Sequence, residues 1–80
     1  MNKYQLLIKT NISPEISERI IRIIRHRGFV IKTMKMEVIS RLKNITFNLT
    51  IKSYKSINLL IKQIEKLIDV IHIAILEQIP

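Results

Sequence analysis

The order of apolar patterns in this 80-residue chain predicts an α+β fold of the ferredoxin-like type. That fold is β-α-β-β-α-β, a four-stranded antiparallel sheet with two helices on one face. Three observations predict it. Ile16, Ile20, Ile23 and Ile24, and later Ile57, Leu60, Ile61, Ile64, Leu67 and Ile68, recur at helical spacing. Four other stretches alternate or carry β-branched residues over strand lengths. The single glycine, Gly28, and the polar breaks fall between these patterns rather than within them.

The first strand is Tyr4 to Thr10, with Tyr4, Leu6, Ile8 and Thr10 on one side and Gln5, Leu7 and Lys9 on the other. Asn11-Ile12-Ser13-Pro14-Glu15 predicts a helix start, with Ser13 as N-cap and Pro14 in the first helical position. Glu15 and Glu18 suit the positive end of that helix's dipole, and Arg25, His26 and Arg27 its negative end. Ile21 flanks the stripe, Arg22 and Arg25 lie away from it, and Arg27 must snorkel or leave the helix as it ends. Gly28 stops the helix in the left-handed conformation.

Phe29 to Ile39 reads as a second strand, in which Met34, Met36 and Val38 share a face. Ser40-Arg41-Leu42-Lys43 is the turn after it. The third strand, Asn44 to Lys52, sets Ile45, Phe47, Leu49 and Ile51 against Thr46, Asn48 and Thr50. The second helix starts near Ser56, leaves Leu59 outside its stripe and ends at Asp69. Val70 to Leu76 completes the sheet. No linker or composition shift divides the chain, so one domain spans 1–80 with a core of about 4–77.

A chain of this length buries only about 60% of its unfolded surface, which leaves stability marginal without staples or a covering partner. There is no cysteine, hence no disulfide and no thiolate metal site. Hydrophobic residues at 48% exclude a charge-rich disordered chain. No apolar run approaches the roughly 18 residues of a membrane span, and the N-terminal stretch lacks a signal-peptide pattern. A cytoplasmic domain that does not enter the membrane is expected.

Net charge is +8, from 14 Lys+Arg against 6 Asp+Glu. Such a balance fits an anionic partner. It equally fits drift toward A/T-rich codons, which enriches Ile, Lys and Asn together. RNA-binding domains of this fold stack bases on aromatics of the central strands, whereas Phe47 shares the apolar side with Ile45 and Leu49. Nucleic acid is therefore not the expected partner. Catalysis is not expected either. His26, His72 and Asp69 form no nucleophile–base pair of recognisable spacing, and no serine sits in a strand-to-helix elbow. Two histidines so far apart match no metal-ligand spacing, and one glycine cannot build a phosphate loop.

The ordered set Pro14-Glu15, Arg25-His26-Arg27-Gly28-Phe29, Met34-x-Met36, Asn44-Ile45, Leu49-Thr50, Lys66-Leu67-Ile68-Asp69-Val70 and His72-Ile73-Ala74 resembles the small regulatory subunits of acetolactate synthase. The likeness is to the short, isozyme II type, which is little more than one ACT domain. It implies a non-catalytic subunit acting in isoleucine, valine and leucine biosynthesis. Its partner would be the large catalytic subunit, on which thiamine diphosphate, magnesium and FAD are expected, and no cofactor is expected in this chain. The other readings of the sequence are a free-standing amino-acid-sensing ACT protein and a small basic RNA-binding domain.

Valine-sensitive relatives resemble Asn-x-Pro-Gly at the first strand–helix junction and Arg-Gly-Tyr-Asn after the first helix. Against that pattern, Asn11, Ser13, Pro14, Glu15 and Val30 form a degenerate effector site. Glu15 stands where the pattern has glycine and Val30 where it has asparagine. A carboxylate facing the effector's carboxylate is repulsive, and valine supplies no hydrogen bond, so weak or absent valine feedback is expected. Arg25, His26 and Arg27 are the candidate partner contacts, because guanidinium groups pair well with carboxylates. The unpaired edge of the second strand is a template for a homodimer.

Overall fold

The computed structural model describes residues 2–79, in the order β1 (Asn2–Asn11), α1 (Ile16–His26), β2 (Val30–Ile39), a 3-10 turn (Ser40–Leu42), β3 (Asn44–Ser53), α2 (Ile57–Glu65) and β4 (Val70–Ile79). Met1 and Pro80, the ends of the expected domain, lie outside the described residues. The strands form one sheet in the order β2-β3-β1-β4, every neighbouring pair antiparallel. This is the βαββαβ architecture that the periodicity predicts.

The central pair builds the core. Tyr4 lies opposite Ile51, Leu6 opposite Leu49, Ile8 opposite Phe47 and Thr10 opposite Ile45. All eight are buried, together with Ile16, Ile20 and Ile24 of α1 and Ile57, Leu60 and Ile64 of α2. The alternating partners Gln5, Leu7, Lys9, Thr46, Asn48, Thr50 and Lys52 are half-buried or exposed and form the open face. Phe47 is fully buried on the helix side, so among the described residues the central strands offer no aromatic surface to stack a base.

The sequence expectations need correction at four places. Ser13 is not the N-cap of α1. The helix starts at Ile16 with Glu15 as a cap that makes no side-chain hydrogen bond. The Ile16 amide instead donates to the Ser13 carbonyl at 3.4 Å, closing a β-turn with Pro14 in its second position. Proline pre-sets the second residue of such a turn, and the helical bonding begins only with the Arg19 amide donating to the Glu15 carbonyl at 3.0 Å, so Ser13 stays outside. Next, α2 ends at Glu65, before Leu67 and Ile68. The Leu67 amide bonds to Ile64 at 3.0 Å, a tightened turn that breaks the helical progression. Leu67 still packs on the core, while Ile68 is 89% exposed. Finally, β4 runs three residues past Leu76, to Ile79, and β2 begins at Val30 rather than Phe29.

Gly28 behaves as expected. Its φ is +83°, its amide donates to the Arg25 carbonyl at 3.0 Å, and the Phe29 amide reaches the Ile24 carbonyl at 3.1 Å. Those two bonds are the Schellman closure of a helix, and the buried Ile24 and Phe29 supply its apolar contact. The buried Ser53 fastens this corner to β3, donating from its hydroxyl to the Gly28 carbonyl and accepting from the Lys55 amide, both at 3.0 Å.

Candidate partner and effector surfaces

The five effector positions do not meet within one chain. Asn11, Ser13, Pro14 and Glu15 lie where β1 ends, beside Asn44 and the Ile39 end of β2. Val30 starts β2 opposite Lys52, which faces Lys3 near the beginning of β1. The two places are separated by roughly 25–30 Å along β3, at about 3.3 Å per residue. The expected effector positions of a single chain therefore lie at two separate places rather than in one pocket.

At the first of these places the Glu15 side chain is exposed and turns back toward Arg19, 3.7 Å away. That i,i+4 contact is the one ion pair among the described residues, and its exposure limits its worth to a few tenths of a kcal/mol. The carboxylate still sits at the start of α1, where a free amide end would otherwise receive an anion. At the second place Val30 is exposed. With Arg25, Gly28, Phe29 and Ile31 it lines an open cavity of about 460 Å³.

The three candidate contact residues do come together. Arg25 and His26 fill the last turn of α1, and Arg27 caps it, so Arg27 has left the helix instead of snorkelling along it. All three are exposed. His26 and Arg27 share a smaller cleft of about 180 Å³ with Phe29, Lys55, Ser56, Leu59 and Leu60.

Sequence reasoning missed Lys55, whose side chain runs over Gly28 so closely that an added Cβ would meet its Cε at 3.1 Å. The signal was available, since Lys55 directly precedes the Ser56 cap of α2. Leu59, outside its helix stripe, supplies an exposed apolar wall to the same cleft. The corner thus offers cations beside apolar surface, a combination that receives an acidic, partly apolar protein segment. Among the described residues no group of three or more His, Asp or Glu side chains gathers to hold a metal ion.

Comparison with known proteins gives this geometry a family. The ACT-domain family model matches residues 13–73. The acetolactate synthase isozyme 2 small subunit of Escherichia coli strain K12 is 41% identical over 75 residues, covering 94% of this chain and 86% of that one. Two solved structures share the fold. They are the ACT domain of the Chlorobium tepidum GTP pyrophosphokinase (TM-score 0.79, 17% identity, 92% of this chain and 96% of that one) and the Thermotoga maritima acetolactate synthase small subunit (TM-score 0.78, 18% identity, 91% of this chain and 46% of that one).

Proposed function

The chain belongs to the ACT-domain family and to its acetolactate synthase small subunits, and from that premise we propose that it activates an acetolactate synthase large subunit without taking part in the chemistry. The observation that carries this reading is the 41% identity to such a subunit over 94% of the chain. Thiamine diphosphate, magnesium and FAD then belong to the large subunit, as does the joining of a two-carbon unit from pyruvate to a second 2-oxo acid. The setting is the cytoplasmic synthesis of isoleucine, valine and leucine.

A subunit with no reactive groups raises a rate only by binding the active conformation of its partner more tightly than the inactive one. Coupling of about 1–3 kcal/mol corresponds to roughly 5–150-fold. Arg25, His26 and Arg27, with Lys55 beside them, are the groups that bind the large subunit, and two small subunits join through the edge of β2. The holoenzyme is insensitive to valine, because Glu15 sets a carboxylate against the effector's own and Val30 makes no hydrogen bond to it.

The test is to add this chain to purified large subunit and measure acetolactate formed from pyruvate, with and without valine. A severalfold rise that valine leaves unchanged is the expected result. No rise overturns the activating role. Inhibition, or calorimetric binding of valine at about 1 mM or tighter, overturns the insensitivity.

A further inference from the structure

The cleft of about 180 Å³ between the end of α1 and the start of α2 gathers its cations from two elements. His26 and Arg27 come from the end of α1, and Lys55 from the residue before the Ser56 cap of α2. Folding ties the two connections together. The Ser53 hydroxyl donates to the Gly28 carbonyl and accepts from the Lys55 amide, both at 3.0 Å. The Lys55 side chain then lies over Gly28, where its Cε and Nζ would stand 3.1 and 3.2 Å from an added Cβ. Only glycine leaves that path open.

These charges have no counter-charge within the chain. Among the described residues the one ion pair is Arg19–Glu15, and the side chains of His26, Arg27 and Lys55 make no hydrogen bond. The six acidic side chains lie elsewhere: Glu15 and Glu18 at the opposite end of α1, Glu65 at the opposite end of α2, Glu37 in β2, Asp69 just before β4 and Glu77 within it. Beside the cations stands Leu59, 59% exposed, over the buried Phe29 and Leu60.

We propose that this cleft is a socket for one aspartate or glutamate side chain of the large subunit, with its carboxylate between Arg27 and Lys55 and the surface around it covering Leu59. The inference rests on the partner reading above and names what that partner must present. A guanidinium fork takes both carboxylate oxygens, and an ammonium beside it adds a point charge. What the cleft lacks identifies the occupant. No carboxylate lines it, so the ammonium of a free amino acid would meet only cations. A small 2-oxo acid would leave Leu59 in water. A second copy of this chain would bring its own net charge of +8 against an already basic corner.

Carbodiimide joins an amine to a carboxylate where the two touch, the water lost passing to the reagent. Added to this chain mixed with purified large subunit, it links Lys55 to one aspartate or glutamate of the large subunit, located by peptide mass spectrometry. Lys55→Met keeps an apolar stem without the charge and abolishes the link. It also raises the concentration of this chain that half-activates acetolactate formation by about tenfold or more, at an unchanged plateau, and Arg27→Met acts alike. Lys66→Met removes the same charge at the far end of α2 and changes that concentration by less than about twofold. Links to the large subunit through other lysines with none at Lys55, linkage of Lys55 to a second copy of this chain, or equal losses from Lys55→Met and Lys66→Met each overturn the socket while the activating role stands. An unmodified chain that never activates overturns that role instead, and the Lys55 link then tests the socket by itself.

Discussion

Thr10 carries an unsolved cost within an otherwise apolar interior. It is fully buried on the helix side of β1, between Ile45 on β3 and Val70 on β4, and its hydroxyl has no hydrogen-bond partner among the described residues. A buried hydroxyl without a partner forfeits its hydration, at about 1–3 kcal/mol. Valine has nearly the same shape without that cost. Thr10→Val should therefore stabilise the chain by roughly 1 kcal/mol, seen as a higher urea midpoint at unchanged slope. A lower midpoint would show that the hydroxyl is satisfied after all. Alternation alone places Thr10 on the core side, but nothing in the sequence reveals the missing partner. Lys43 is similar: its left-handed φ of 55° closes the turn after β2, at a position whose residue type gives no sign of it.

At the scale of elements, the two helix starts look alike in sequence and differ in structure. Ser56 caps α2 with its side chain, which accepts from the Asn58 amide at 3.3 Å. Ser13 contributes only a backbone carbonyl to its turn. Ser56→Ala should cost about 1 kcal/mol and Ser13→Ala no more than a few tenths, compared by denaturant unfolding of both variants. Equal losses would restore Ser13 as the cap. The element order was legible because buried-side residues mark each period, Tyr4, Leu6, Ile8 and Thr10 at 2 and Ile16, Ile20, Ile23 and Ile24 at 3.6, and because the turn at Gly28 asks for a backbone conformation that glycine adopts cheaply. Element ends were less so. Leu67 and Ile68 continue the helical spacing on paper, whereas the tightened turn at Ile64–Leu67 is set by how the chain must reach β4, where the Asn11 amide takes the Asp69 carbonyl at 2.8 Å. The candidate site was legible in part for the same reason. Arg25, His26 and Arg27 are neighbours in sequence, but Lys55 and Leu59 join them only through folding, and Val30 parts from Glu15 by the length of a strand.

Over the whole molecule, charge and size act against each other. The chain carries a net +8, and its described residues fill an extent of only 37 × 19 × 16 Å. One ion pair among the described residues, Arg19–Glu15, offsets little of this. At about 0.01 M ionic strength the Debye length is roughly 30 Å, so nearly every cation feels every other; at 0.15 M it is about 8 Å and only neighbours interact. Unfolding spreads the charges apart, so self-repulsion weighs more on the folded chain than on the unfolded one. Raising the salt between those limits should then stabilise the free chain by on the order of 1 kcal/mol, or about 4–8 °C in melting temperature. Thermal unfolding followed by circular dichroism at the two ionic strengths measures it. A melting temperature that falls with salt would mean that local attractions outweigh the net charge, and that the cations of the α1 corner are already engaged within the chain rather than free for a partner.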